Sequence, residues 1–201
     1  MIAVIDYGMG NLGSVSKALE YLGQDVSVTR KGQDLKKADK IVLPGVGAFK
    51  DAMDALRDLG LVESLKRELA GDKTYLGICL GYELLFERSE EGGGCEGLGV
   101  LKGDVVRFQG AGLKVPQIGW NRVRPVNEDC PLFEGLEDDP FFYFVHSYYV
   151  RPKEESIVAA VTSYGGDFAS MTWNENIYAV QFHPEKSQEV GLRFLKNFME
   201  L

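Results

Sequence analysis

The chain has 201 residues, of which 45% are hydrophobic and 26% are charged. This is an ordinary globular composition, and the length allows one substantial hydrophobic core without requiring a second domain. Acidic residues outnumber basic residues by 30 to 22, for a net charge of -8. Because such a chain repels an extended phosphate backbone, the charge argues against nucleic acid as a partner.

The N-terminal residues MIAVID reach an aspartate too early for a signal peptide, and no stretch approaches the roughly 20 apolar residues of a membrane span. We therefore expect no membrane association and a cytoplasmic location. The cysteines Cys79, Cys95 and Cys130 are odd in number and irregularly spaced, which argues against a disulfide framework and against a CxxC zinc site. We expect free thiols and no bound metal.

In the first half of the chain, short apolar runs alternate with segments of helical periodicity. The predicted strands are Ile2 to Ile5, Val26 to Thr29, Ile41 to Leu43 and Tyr75 to Ile78. The predicted helices lie within Leu12 to Leu22, Phe49 to Leu59 and Val62 to Leu69, and each has one apolar face for burial. This order, with continuous apolar strands, predicts a parallel sheet covered on both faces by helices.

The second half contains short strand candidates that Gly, Asn, Asp and Pro clusters separate. These candidates are Val105 to Phe108, Phe141 to Tyr149, Ile157 to Val161, Phe168 to Trp173 and Ile177 to Phe182. We interpret them as antiparallel additions to the same sheet, followed by a helix that begins near Ser187. The prediction is one α/β domain over residues 1–201, with a mixed, mostly parallel open sheet.

The loop GMGNLG, Gly8 to Gly13, follows the first strand and matches the G-x-G-x-x-G pattern of dinucleotide-binding proteins. That pattern also expects an acidic residue after the second strand, where this chain has Thr29, Arg30 and Lys31. The loop is therefore either a nucleotide site of an NADP-like type or a tight turn that needs small residues.

The loop LPGVGAF follows the third strand and precedes a helix. Its glycines allow backbone N–H groups to point outward and form a site for negative charge. Taken alone, the segment around Gly45, Val46 and Gly47 is equally well explained as a structural turn.

The segment GICLG matches the G-x-S-x-G nucleophile elbow with a cysteine in the serine position. Such a sharp strand-to-helix turn requires small residues at Gly77 and Gly81, and it lifts Cys79 to a helix N-terminus, which favours a thiolate. The following amide, that of Leu80, then faces a developing oxyanion. The competing interpretation is a buried, inert cysteine.

A nucleophilic cysteine needs a base, and the chain has only two histidines, His146 and His183. His183 follows a strand candidate, and Glu185 lies two residues later, on the same side of an extended backbone. This spacing predicts a Cys79–His183–Glu185 relay. The alternative is a surface histidine beside an unrelated acid.

The motifs GICLG, QFHPEKS and LPGVGAF together resemble those of the class I, or triad, glutamine amidotransferases, which have a flavodoxin-like fold. The resemblance implies that Cys79 forms a γ-glutamyl thioester with glutamine and that Val46, Gly47 and Leu80 stabilise the oxyanion. It also implies that no cofactor is needed and that ammonia passes to a cyclase subunit with a β/α barrel, in a heterodimer.

The resemblance implies substrate contacts as well, which are listed here: Gly45, Glu83, His146, Ser147 and Tyr148. Family members commonly have Gln where this chain has Glu83, and a carboxylate does not donate a hydrogen bond as an amide does. The competing interpretations are that Glu83 is a solvated helix residue and that His146 is a buried core histidine.

The resemblance also makes Gln117, Trp120 and Asn121, in the segment PQIGWN, candidates for the surface that faces the partner. Two other functions stay open at this stage. One is a self-sufficient cysteine hydrolase of peptides or γ-glutamyl compounds. The other is a nucleotide-binding regulatory module that uses the GMGNLG loop and no active thiol.

Overall fold

The computed structural model describes all residues, 1–201. The helices are α1 (Leu12–Tyr21), α2 (Gly32–Lys37), α3 (Phe49–Asp58), α4 (Leu61–Leu69), α5 (Leu80–Glu83) and α6 (Gln188–Glu200). The strands are β1 (Ile2–Ile5), β2 (Val26–Thr29), β3 (Lys40–Gly45), β4 (Thr74–Cys79), β5 (Arg88–Ser89), β6 (Cys95–Glu96), β7 (Gly103–Arg107), β8 (Gln117–Arg122), β9 (Arg124–Pro125), β10 (Phe141–His146), β11 (Tyr148–Pro152), β12 (Val158–Ser163), β13 (Asp167–Asn174) and β14 (Ile177–Val180).

The main sheet has eight strands in the order β2-β1-β3-β4-β14-β13-β12-β9. Strands β2, β1, β3, β4 and β14 are parallel, and β13, β12 and β9 continue the sheet in antiparallel fashion. The predicted α/β class and the mostly parallel sheet are confirmed. The expectation that Ile177 to Phe182 adds an antiparallel strand is wrong, because β14 pairs in parallel with β4 and is antiparallel only to β13.

Two other predicted strands lie outside the main sheet. Val105 to Phe108 falls largely in β7, which belongs to a small sheet in the order β11-β7-β5-β6. Phe141 to Tyr149 is divided at Ser147 into β10, which pairs with β8, and β11, which pairs with β7. The run is almost uniformly apolar, so its pattern does not mark the residue at which the strand changes partner.

The core lies on both faces of the main sheet, because alternate residues of each central strand point to opposite sides. Ala3 and Ile5 pack with α2, α3 and α4, whereas Val4 packs with α1 and α6. The periodic segments predicted as helices are confirmed as α1, α3, α4 and α6. Helix α2 was not predicted, since only Leu35 of its six residues is buried and no apolar periodicity marks it.

No helix of the protein is both long enough and apolar enough to cross a membrane.

The turn from β4 into α5 brings two stretches of backbone into direct contact. A β-carbon added at Gly81 would lie 1.8 Å from the carbonyl oxygen of Leu43, and one at Gly77 would lie 2.7 Å from the carbonyl oxygen of Gly81. Backbone atoms cannot move aside as the end of a flexible side chain can. Glycine is therefore required at both positions for the turn to close over β3.

We predict that Gly81→Ala destabilises the protein by about 3 kcal/mol, because the methyl group overlaps backbone that is fixed in the sheet. Gly13→Ala is the matched control, since Gly13 is exposed in α1 and nothing lies within 4 Å of an added β-carbon. This control should stabilise the fold by roughly 0.5–1 kcal/mol. Urea unfolding of both variants measures the difference, and equal midpoints would contradict the packing described for the turn.

Candidate active site

Cys79 is the last residue of β4, and its backbone has the unusual dihedral angles φ 54° and ψ -108°. A non-glycine residue in this region carries strain of about 1–3 kcal/mol, which persists only where the surrounding structure enforces it. The contacts of Gly77 and Gly81 with backbone supply that enforcement. The turn holds the sulfur above the carboxyl edge of the sheet, at the start of α5, as the elbow motif predicts.

The loop after the neighbouring strand β3 lies beside this turn, because Gly45 and Cys79 are paired in register. The Val46 and Gly47 backbone is exposed, and neither amide donates a hydrogen bond within the chain. Together with the Leu80 amide at the start of α5, they are available to an anionic oxygen near the sulfur.

Gly45 itself is buried beneath the elbow. A β-carbon there would lie 2.4 Å from the Tyr7 hydroxyl oxygen and 2.7 Å from the Leu80 β-carbon. The residue does not line the cavity that contains Cys79. Its place in the structure is that of a packing residue, which lets the loop approach Cys79.

Strand β14 runs parallel to β4, so the segment after it emerges at the same edge and carries His183 to Cys79. The His183 Nδ1 lies 2.8 Å from the Glu185 Oε1, and the two side chains are 1% and 0% exposed. The Asn11 amide donates to the same Oε1 at 3.1 Å. The GMGNLG loop thus supports the carboxylate of the histidine pair.

Burial alone would keep His183 neutral, but Cys79 and Glu185 together raise its pKa to about 10. Burial also opposes the charge on Glu185, yet the His183 imidazole and the Asn11 amide lower the pKa of this carboxyl. The other ring nitrogen, Nε2, is buried and has no hydrogen-bond partner in the chain. With Cys79 beside it, the imidazole is placed to exchange a proton with the sulfur or with a leaving group, and such contacts often shorten only when substrate binds.

Ser187 fixes the backbone that carries this histidine. Its hydroxyl donates to the His183 carbonyl oxygen at 2.6 Å and accepts from the Tyr143 amide at 3.0 Å. The His183 amide in turn donates to the Tyr143 carbonyl oxygen at 2.9 Å. The segment that carries His183 is therefore attached directly to the β8–β10 ribbon.

A cavity of about 400 Å³ opens over the Cys79 sulfur. Most of the sequence-predicted site residues line it together: Val46, Gly47, Cys79, Leu80, Glu83, His146, Ser147 and Tyr148. His183 and Glu185 lie behind its wall. The volume suits a ligand the size of one amino acid, and the charged or titratable groups of the lining include the carboxyl groups of Glu83 and Glu91 and the ammonium group of Lys186.

His146 is buried in the cavity wall, where its Nδ1 lies 2.6 Å from the Tyr148 carbonyl oxygen and its Nε2 lies 3.0 Å from the Gln117 side-chain oxygen. Burial lowers its pKa to about 4, against the Tyr148 contact that favours the charge. A neutral ring that donates from Nδ1 must accept at Nε2. The Gln117 amide must therefore be flipped, so that its NH₂ group takes the place of this oxygen. His146 is a satisfied, neutral histidine that shapes the wall.

The residues proposed to face a partner are placed differently from one another. Trp120 is 46% exposed and Asn121 is partly exposed, whereas Gln117 is only 3% exposed and contacts His146. Side chains alternate along β8, so Ile118 and Trp120 share the outward face while Gln117 points to the cavity wall. In this structure Gln117 faces inward.

Sequence reasoning did not assign four residues that the structure brings to the site. They are Tyr7, Asn11, Glu91 and Gln181. Asn11 lies in the motif first considered for nucleotide binding, and Gln181 lies two residues before His183. Their positions within or near a known motif were the available sequence signal for Asn11 and Gln181. The partner of each side chain, however, depends on contacts between distant segments.

A strained cysteine elbow, a buried His–Glu pair and free backbone amides beside the sulfur define a cysteine-dependent amidohydrolase site on a flavodoxin-like sheet. The family model described as glutamine amidotransferase class-I matches residues 3–201. The chain belongs to the class-I glutamine amidotransferase family. This family membership does not favour the alternative function of a nucleotide-binding regulatory module.

The chain is 50% identical to "Imidazole glycerol phosphate synthase subunit HisH" of Syntrophotalea carbinolica, with 100% of both sequences covered. It is 48% identical to the protein of the same name from Methanocaldococcus jannaschii, again with 100% of both covered. Among solved structures, the fold is similar to "Structure of PurLQS from Thermotoga maritima", with a TM-score of 0.78, 19% identity, and 99% and 97% of the two chains covered.

The two histidines should titrate far apart, which NMR of the imidazole protons can follow separately. We expect His146 to stay neutral down to about pH 4 and His183 to stay protonated up to about pH 10. Because the folded pKa of His183 lies above the ordinary histidine value of 6.5, its contribution to stability is full below that pH and is lost as the pH rises toward 10.

In Cys79→Ala the pKa of His183 should fall, because the variant removes the sulfur that favours the charged imidazole and keeps the burial. Cys130→Ala, at a buried thiol outside the site, is the control and should leave both titrations unchanged. Two histidines that both titrate near 6.5 in the wild type would contradict the described environment.

Proposed function

We propose that this protein hydrolyses glutamine to glutamate and ammonia and delivers the ammonia to the cyclase subunit of an imidazole glycerol phosphate synthase, in histidine biosynthesis. The products of the complex are then imidazole glycerol phosphate and aminoimidazole carboxamide ribonucleotide. The observation that carries the proposal is the strained Cys79 elbow next to the buried His183–Glu185 pair in a cavity of about 400 Å³. Full-length relatives named as HisH subunits support the choice of pathway.

The first chemical step is attack of the Cys79 thiolate on the side-chain amide carbon of glutamine. A C–S bond forms, and the carbonyl π electrons move to the oxygen, which becomes an oxyanion. The amides of Leu80 and of the Val46–Gly47 segment donate to this oxygen. Loss of one such donor typically lowers the rate about 10²- to 10³-fold.

The second step is collapse of the oxyanion, which breaks the C–N bond. His183 gives its proton to the departing nitrogen, so ammonia leaves and a γ-glutamyl thioester remains on Cys79. The now neutral His183 takes a proton from water, whose oxygen attacks the thioester carbon. The C–S bond then breaks, so glutamate leaves and the Cys79 thiolate and the protonated His183 are restored. Glu185 stays ionised throughout and holds the ring by its Nδ1 proton.

Several lining residues suit the amino-acid end of glutamine. Glu91 lines the same cavity as Glu83, and its Oε2 accepts from the Phe49 amide at 2.6 Å, which leaves Oε1 for the α-ammonium group. Ser147 and Tyr148 supply polar groups from the segment between β10 and β11. These contacts would orient glutamine so that its amide carbon reaches the sulfur.

The partner surface that we propose is the outward face of the β8–β10 ribbon. Ile118 is 60% exposed, Trp120 46% and Phe141 47%, which is unusual exposure for three large apolar side chains on one small sheet. This face continues into the catalytic cavity through Val145, whose carbonyl oxygen lies 3.9 Å from the Cys79 sulfur. A β/α-barrel cyclase seated on the ribbon in a heterodimer would receive ammonia without its dilution and protonation in bulk water.

The resemblance to the family also suggests that the oxyanion amides become fully arranged only when the cyclase and its ligand bind. The exposed Val46–Gly47 segment, with Gly47 at φ 109°, is consistent with a loop that a partner can adjust. We propose weak glutaminase activity in the free subunit and strong stimulation in the complex. Three free cysteines fit a reducing compartment, and the cytoplasm is the proposed location.

Cys79→Ala should abolish glutamine-dependent synthesis by the complex and leave ammonia-dependent synthesis intact, because it removes the nucleophile and not the partner surface. Glutamate release and cyclase product are measured with each nitrogen source, with Cys95→Ala as the control. Loss of both reactions would indicate a disrupted complex, and retained glutamine turnover would exclude Cys79 as the nucleophile. A wild-type rate that never responds to the cyclase would favour a self-sufficient hydrolase.

Trp120→Ala should weaken the complex with the cyclase at least tenfold in Kd, or about 1.4 kcal/mol, because it removes a large aromatic contact from the centre of the ribbon. Tyr21→Ala is the matched control, since Tyr21 is a 78% exposed aromatic residue on α1. Titration calorimetry of both variants makes the comparison. Equal affinities would move the interface away from the ribbon.

A further inference from the structure

A buried polar group lies beneath the nucleophile and has no role in the steps above. Glu83 in α5 is 5% exposed, and Gln181 after β14 is fully buried. The Gln181 amide donates to the Glu83 Oε1 at 2.8 Å and lies 4.0 Å from the Cys79 sulfur. No lysine or arginine forms an ion pair with Glu83, although its carboxyl group lines the substrate cavity.

The groups around Glu83 disfavour a negative charge on it. The titratable side chains that face it come from five parts of the fold: Tyr7 after β1, Cys79 at the end of β4, Tyr82 within α5, Glu91 in the turn after β5, and Tyr148 in β11. Each of these groups is either neutral or negatively charged. The cavity lining also contains the neutral His146 and one cation, Lys186, which forms no ion pair with Glu83.

Burial raises the pKa of Glu83 to about 8, with Glu91 adding to the rise and the Gln181 hydrogen bond opposing it. A carboxylic acid has one donor and one acceptor, as one edge of an amide does. Since Oε1 accepts from Gln181, the proton is available on Oε2, which has no protein partner and faces the cavity.

We propose that Glu83 is a specificity-determining residue that binds glutamine as a neutral carboxylic acid, donating a hydrogen bond from Oε2 to an oxygen of the substrate. This rests on the proposed glutaminase function. It assigns the α-ammonium group to Glu91, which lines the same cavity, and gives Glu83 the donor role that an amide would otherwise fill. Substrate binding then weakens when Glu83 loses its proton, while the chemical step at Cys79 does not depend on that proton.

The test compares wild type with Glu83→Gln, which keeps the shape and a permanent donor. KM and kcat for glutamine are measured from about pH 6.5 to 9.5 with the cyclase bound, because a carboxyl with a pKa of about 8 titrates in that range. The ratio of the wild-type KM to the variant KM should be constant at the acidic end and rise about tenfold per pH unit at the alkaline end. The ratio of kcat values should stay flat.

The use of a ratio cancels titrations that both proteins share, including those of glutamine, Cys79 and His183. Glu90→Gln is the control, since Glu90 is exposed, bonds the Arg107 amide and lies outside the cavity. Its KM should follow that of the wild type at every pH. A ratio of wild-type KM to Glu83→Gln KM that is constant over the pH range would overturn the proposal. A ratio that falls as the pH rises would also overturn it, because it would indicate that the ionised form binds glutamine.

A second measurement does not need activity. The infrared difference spectrum of wild type minus Glu83→Gln should show the C=O band of a protonated carboxyl at pH 7, and this band should disappear as the pH passes about 8. Absence of the band at pH 7 would overturn the neutral state of Glu83. A wild type that shows the band and does not hydrolyse glutamine would refute the proposed function and leave the protonation of Glu83 established.

Discussion

The site depends on the strained backbone of Cys79, which the fold holds at φ 54° between a strand and a helix. The strain is tolerated because Gly77 and Gly81 allow backbone to contact backbone at the turn, and the sheet on either side is fully buried. The direction of the sulfur, the start of α5 and the position of the Leu80 amide all follow from this turn. A relaxed backbone would separate these three groups.

The second requirement is the parallel pairing of β14 with β4. Parallel neighbours end at the same edge of a sheet, so two segments about 100 residues apart in sequence deliver the thiol and the imidazole to one place. Burial then strengthens the interaction between their charges, because little water screens them. The same low polarity makes an unpaired charge costly, which explains why Glu185 has both His183 and Asn11 as partners.

Much of the fold was predictable from local patterns. Helical periodicity identified α1, α3, α4 and α6, and the continuous apolar runs identified the strands that form the parallel part of the sheet. The direction of β14 was predicted wrongly and the division of the chain at Ser147 was missed, because neither depends on the residues of the segment itself. The direction and the partner of a strand depend on the position at which the preceding connection returns the chain to the sheet.

The sequence by itself determined the chemistry that the protein can perform: one thiol in an elbow motif, two histidines, and an acid two residues after one of them. These are local features, and short-range geometry is enough to interpret them. Only the tertiary structure decided the charge that each group carries, because burial and neighbours from distant segments set it. His146 and His183 are the same residue type with opposite protonation at neutral pH, since one faces Gln117 and a carbonyl oxygen and the other faces Glu185 and Cys79.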